Sequence, residues 1–311
     1  MRKTIYFLIG VFTLVVVSCK EQQVVVTNEE PATTKFFNTN NLLNNLEELA
    51  SDKYEGRKVG SKGAEMARSF IKEAFNKNEV LPFTLGYEQT FKVKVKSDSL
   101  LAINILGKIK GTAFPNKYIV ISAHYDHVGI KRGQIYNGAD DNASGVSALI
   151  AFAEYFKKIP PKHSVILAAF DCEEYGLKGS EYFVEHAMKD SLDMVFNINM
   201  DMISRSKAKE IYAIGQLTQK ELQPLIAGVN LPDGITIPKG HEGNDGKRSW
   251  LYASDHAPFL EQNIGALYFG VDNHTDYHKP TDDFERIDKN FYINIVDIII
   301  QAFQAIDQFY K

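Results

Sequence analysis

KYIVISAHYDHVG, residues 117–129, begins as an apolar run and breaks abruptly into a histidine, a carboxylate and a second histidine. The run 117–123 reads as a buried β-strand, and three more runs repeat its form. Residues 165–170 end just before Cys172, Glu173 and Glu174, residues 194–199 lead into Asp201, and residues 266–269 open the loop that carries His278. Open α/β sheets place their chemistry in loops at the carboxyl ends of strands. Five potential metal ligands, His124, Asp141, Glu174, Asp201 and His278, are therefore expected on one rim.

Helices alternate with these strands. Residues 41–50 and 62–76 read as helices, the second with Ala67, Phe70, Ile71 and Ala74 as an apolar stripe at helical spacing. Strands near 87–95 and 100–106, broken at 96–99, suggest a hairpin. Residues 144–156 form a further expected helix, ended by Pro160 and Pro161, and later helices are expected at 180–188, 219–226, 255–262 and 290–310. This order predicts an α/β fold of three layers, a mixed, mostly parallel central sheet with helices on both faces.

The N-terminal segment is a targeting signal rather than part of that fold. Arg2 and Lys3 precede an apolar run, 5–17, too short to span a bilayer but suited to export, and Val16, Val17, Ser18 and Cys19 resemble a bacterial lipobox. The expectation is a lipoprotein signal peptide over 1–19 with Cys19 lipidated, a polar tether over 20–36, and one catalytic domain over 37–311. The protein is then an exported lipoprotein of the bacterial cell envelope, held to a membrane by its lipid anchor alone. The mature chain keeps Cys172 as its single unmodified thiol and can form no internal disulfide, so the core must supply the stability.

A net charge of −4 argues against nucleic acid as a partner, which would call for a basic stripe. The one locally basic stretch, 92–96, alternates Lys with Val, as the solvated face of an edge strand does.

The chemistry lies in four loops. In HYDHVG (124–129), Asp126 is placed to orient His124, since ligating histidines usually donate their second ring N–H to a carboxylate. In NGADDNASG (137–145), Asp140 and Asp141 stand in a small-residue loop leading into a helix; one of these polar residues can cap that helix, but two adjacent buried acids need a cation or a donor network. In DCEEYGLKGS (171–180), Glu173 and Glu174 point in different directions, so one carboxylate can hold a metal while the other faces the substrate as a proton carrier. Asp201, in NMDMIS (199–204), is an acid after an apolar strand and costly to bury without a partner.

Together with YHKPTDD (277–283) and a preceding YEGRKVGSKG (54–63), these motifs resemble the series found in leucyl aminopeptidases with two co-catalytic zinc ions, relatives of glutamate carboxypeptidase and glutaminyl cyclase. The resemblance runs from about Asp52 to the C-terminus and implies a zinc-exopeptidase-like fold. It further implies that Asp141 bridges two Zn2+ ions, one held also by Glu174 and His278, the other by His124 and Asp201. Glu173 is then the general base, Tyr277 a candidate oxyanion donor, and Asp255, in YASDHAPF (252–259), a residue beside the metals. The implied activity removes the N-terminal residue of peptides with a free N-terminus.

Two rival functions are a glutaminyl cyclase of the same fold, whose pocket is rich in tryptophan where this chain has only Trp250, and an inactive peptidase-like binding protein, which would lack a ligand or the base. Neither ligand nor base is missing. His127 and His274 are candidates to line the cleft, whereas His163, His186 and His241 read as ordinary surface or packing residues, and Cys172 as a buried small residue. Pocket walls are expected from 240–252 and 271–277.

Overall fold

The computed structural model describes Met1 and residues 35–95, 98–243 and 245–311. The signal segment with its Cys19, and most of the tether, lie outside the described residues. Lys35 and Phe36, expected at the tether's end, already belong to the folded unit Lys35–Lys311: Lys35 pairs with Asp297 at 3.2 Å and Phe36 packs edge-on against Tyr155.

In chain order the elements are α1 (Thr39–Leu49), α2 (Lys62–Lys77), β1 (Leu81–Pro82), β2 (Glu88–Val95), β3 (Asp98–Ile109), β4 (Phe114–His124), β5 (Gly129–Lys131) and β6 (Gln134–Tyr136). There follow α3 (Gly145–Lys158), β7 (His163–Phe170), α4 (Lys178–Lys189), β8 (Asp193–Met200), β9 (Tyr212–Ile214), α5 (Gln223–Ala227), α6 (Ala257–Glu261), β10 (Gly265–Gly270) and α7 (Lys289–Phe309). Side chains set the starts of the long helices: Asn38, Ser61 and Asp288 each accept from backbone N–H groups of the first turn of α1, α2 and α7.

The main sheet has the order β1-β3-β7-β4-β8-β10-β9, with β2 paired to β3. Its centre, β7, β4, β8 and β10, is mutually parallel, and the flanking pairs β3–β7 and β10–β9 are antiparallel. Alternate residues of β4 enter different cores, Ile119, Ile121 and Ala123 joining α2, α3 and α7 on one face while Tyr118 and Val120 meet Phe183 of α4 and Phe259 of α6 on the other. The expected mixed, mostly parallel sheet flanked by helices is the fold observed. On β2, Lys92 and Lys94 are exposed while Phe91 and Val93 are buried, the alternation expected of an edge.

Departures from the expected elements have local causes. The helix expected at 219–226 is a 3-10 turn over Lys220–Leu222 that becomes α-helical at Gln223, and that at 255–262 begins at Ala257, because Pro224 and Pro258 fit a first α-helical turn and no later position. The short strands β1, β5, β6 and β9 span two or three residues, too few to show a period in sequence. Among the described residues no helix is long and apolar enough to cross a membrane.

Candidate metal centre and active site

The parallel centre of the sheet brings four carboxyl ends to one edge. His124 is the last residue of β4, in register with Phe170 at the end of β7, and Asp201 follows β8, its N–H donating to the carbonyl of Phe269 in β10 at 3.1 Å. Glu173 and Glu174 form a tight turn after β7, Asp141 lies in the irregular turn Ala139–Ser144 that opens α3, and His278 lies in the loop after β10.

These side chains meet in two groups that share Asp141. His124 Nε2 is 3.4 Å from Asp141 Oδ1 and 3.3 Å from Asp201 Oδ1. On the other side of the same carboxylate, His278 Nε2 is 3.1 Å from Asp141 Oδ2 and 3.4 Å from Glu174 Oε1. His127, expected only to line the cleft, has its Nδ1 2.8 Å from Glu174 Oε1. In each group the potential ligand atoms lie within 4.8 Å of one another.

The electrostatics of both groups favour a cation. Asp141 and Glu174 push the His278 imidazole up to about 10, against the opposing effect of its burial. Burial also opposes charge on His124, but Asp201 and Glu173 hold it well above the usual histidine range. Both ring nitrogens of His127 and Oε1 of Glu174 are buried with no hydrogen-bond partner among the described residues. Crowded carboxylates and unpaired buried polar atoms are costly unless positive charge sits among them, and a mixed nitrogen and oxygen donor set suits zinc.

Glu173 stands apart from these groups, on the wall of a cavity of about 560 Å³ that His124, Asp141, Asp201 and His278 also line. Burial holds its carboxyl well above the usual range; His124 opposes this and Asp201, Asp255 and Asp126 reinforce it. The remaining walls are His241, Arg248, Trp250, Tyr268 and the segment from Val271 to Asn273, with Tyr277 stacked on the His278 ring at 4.0 Å. All but Tyr268, which is in β10, come from the two expected segments, and Met202 and Ala253 complete the wall from outside them. His241, expected to have a surface or packing role, is buried and stacked on Trp250 at 3.7 Å, and from the expected wall segment it also lines the cavity.

The supporting contacts differ from simple expectation. His124 Nδ1 meets the backbone carbonyl of Asp126 at 3.0 Å, whereas the Asp126 carboxylate is 3.7 Å away and accepts from the N–H groups of Glu173 and Glu174 at 3.0 and 3.4 Å. Asp126 thus orients the imidazole with its main chain and the glutamate turn with its side chain. Asp140 faces away from both groups, accepting from Ser204 N and Oγ at 2.7 Å and standing 3.1 Å from His274 Nε2. Asp255 accepts from Ser180 Oγ at 2.6 Å, and burial pushes its carboxyl up to about 7. Cys172 is buried as expected, and its burial pushes the thiol up.

Three residues that sequence reasoning passed over hold the rim together. Asp282 accepts from the N–H groups of Asp140 and Asp141, fixing the loop of the shared carboxylate. Ser254 donates to Asp201 Oδ2 at 2.7 Å and accepts from Asn199 Nδ2 at 2.9 Å, joining Asp201 to a buried polar chain through Ser122. Arg57 is fully buried and donates only to main-chain carbonyls: Tyr125, Leu49, Asn137 and Gly138, at 2.6 to 2.9 Å. A signal for Arg57 was present in YEGRKVGSKG, since Gly56 takes φ +66° and any Cβ there would lie 2.4 Å from the carbonyl of Tyr136.

The profile of Peptidase family M28 matches residues 104–303. Aminopeptidase YwaD of Bacillus subtilis (strain 168) is 30% identical over 230 residues, 69% of this chain and 47% of the relative, so the chain spans under half the length of that protein. Among solved structures, a Fimbriiglobus ruber glutaminyl cyclase superposes with a TM-score of 0.71 at 16% identity, covering 86% of this chain and 95% of that one. BSAP, a zinc aminopeptidase from Bacillus subtilis, gives 0.65 at 17% identity, covering 86% and 94%. At these identities the two structures are likenesses of fold.

Proposed function

This chain belongs to Peptidase family M28, and from that premise we propose that it is a zinc aminopeptidase holding two ions. The observation that carries the reading is the split of Asp141, one oxygen toward His124 and the other toward His278, beside a cavity that Glu173 enters. His124, Asp141 and Asp201 would hold one ion, and Asp141, Glu174 and His278 the other. Bound there, zinc lowers the pKa of water and polarises a carbonyl.

The chain's own residues do the rest. Glu173 takes the proton of the attacking water as the carbon–oxygen bond forms, then delivers it to the amine nitrogen as the carbon–nitrogen bond breaks. Burial alone would keep this carboxyl protonated, and the positive charge of zinc beside it would favour the carboxylate that accepts the proton. Tyr277 is placed to donate to the oxyanion, its phenol kept protonated by burial and by the Asp141 and Asp201 carboxylates. Asp126 keeps His124 and the glutamate turn in position, and Ser254 keeps Asp201.

Aminoacyl fluorogenic substrates test the reading, with N-acetylated controls. The free-amine substrates are expected to be cleaved and the acetylated ones spared, with activity lost on chelation and restored by zinc. Cleavage of both would overturn an aminopeptidase. Ammonia release from N-terminal glutaminyl peptides, without cleavage, would identify a cyclase, and neither reaction a binding protein.

The protein's place in the cell follows the N-terminal motif: an exported lipoprotein anchored through Cys19. Cys19→Ser should abolish metabolic palmitate labelling and release the protein from the membrane fraction. A labelled Cys19→Ser protein would defeat the anchor.

A further inference from the structure

His127 is held where it stands by its surroundings. Its N–H donates to the carbonyl of Arg57 at 3.4 Å, and its ring packs on Gly138, where any Cβ would lie 2.5 Å from the imidazole. Other buried histidines spend a ring nitrogen on a neighbour, His163 on Asp307 at 2.8 Å and His256 on the Trp250 carbonyl at 3.0 Å. His127 spends neither: its Nδ1 lies 2.8 Å from Glu174 Oε1 and 3.7 Å from Asp141 Oδ2, and among the described residues it hydrogen-bonds to none. Close approach without a hydrogen bond is the relation of two donor atoms that face one cation.

A four-coordinate zinc with bonds of about 2.0–2.2 Å separates its donors by about 3.3–3.6 Å. The His278 contacts, 3.1 and 3.4 Å, and those of His127, 2.8 and 3.7 Å, straddle that spacing. Asp141 and His278 reach the cavity together with His124 and Asp201, whereas His127 and Glu174 are absent from its walls and would approach the ion from the protein side.

We propose that His127 is a fourth protein ligand of the site formed by Asp141, Glu174 and His278. That site then has four protein donors, whereas the site of His124, Asp141 and Asp201 has three and keeps a position open to the cavity. Four protein donors mark a retained, structural ion and three a catalytic one. The proposal rests on the two-zinc reading above and divides the labour within it.

The test titrates metal-free, full-length protein with Zn2+ alone against a chromophoric chelator. Wild type should take up two ions in unequal steps. Loss of a residue that merely supports a ligand lowers metal affinity about 10- to 100-fold, so His127→Ala and His127→Gln should weaken the tighter step beyond 100-fold and spare the weaker. His124→Ala should do the reverse. Wild type loaded with one equivalent of Co2+ should show two imidazole ligands by X-ray absorption, which decides the matter even if the variants fail to fold. One imidazole, or a tighter step unchanged in folded His127→Ala, would overturn the assignment of His127 alone. Wild-type protein that takes up no zinc would overturn the two-metal reading and this proposal with it.

Discussion

Glu173→Gln lowers kcat by about 100- to 10,000-fold, the usual contribution of a general acid–base group, and leaves the zinc content and KM close to those of the wild type. The amide keeps the shape of the side chain on the cavity wall but cannot take a proton from water. Glu174→Gln behaves differently: it weakens metal binding, because Glu174 Oε1 stands 3.4 Å from His278 Nε2 and 2.8 Å from His127 Nδ1. The two carboxyls are already separated electrostatically. Burial tends to raise Glu174, but the imidazoles of His127 and His278 outweigh it and hold it below the usual range, while Glu173 is held well above. Neighbouring acids with opposed shifts are the pattern of divided roles. Elemental analysis and steady-state kinetics on both variants check this. Loss of zinc from Glu173→Gln with both ions retained in Glu174→Gln would exchange the two roles.

The sheet was legible because its central strands are buried on both faces and read as continuous apolar runs, and the rim was legible because parallel strands must deliver their following residues to one edge. His124 ends its strand and Glu174 and Asp201 follow theirs within four residues, so their convergence needed no loop geometry. His127 was harder to place. It lies three residues past the end of β4, where the pleat no longer dictates side-chain direction, and its position is set by Arg57 and Gly138 from other loops. Only the motif resemblance, through the spacing to Gly145, points to Asp141 over Asp140 in the sequence. What separates them is Ser204, 64 residues on, whose hydroxyl and N–H turn Asp140 away.

Arg57 gives the second large effect. Arg57→Met is expected to destabilise the protein by about 3–5 kcal/mol, the range seen when a buried charge loses its partners, and to lower the melting temperature by on the order of 10 °C. The guanidinium ties three segments together through the carbonyls of Leu49, Tyr125, Asn137 and Gly138, and removing it leaves four buried acceptors unpaired at about 1–3 kcal/mol each before relaxation. Burial pushes its pKa down to about 10, while Asp141, Asp282, Asp126 and Glu174 support the charge, so it remains a cation at neutral pH. That places a fixed positive charge behind the acidic rim, where it moderates the repulsion among those carboxylates. Lys offers three donors from a single nitrogen and cannot span the four carbonyls as a planar fork does, so Arg57→Lys should recover only part of the loss. Thermal unfolding of wild type, Arg57→Met and Arg57→Lys, with chelator and with zinc, measures both contributions. The deficit should persist in chelator, since the main-chain bonds do not depend on metal. A deficit seen only with zinc would mean that Arg57 acts through metal affinity instead of holding the loops themselves.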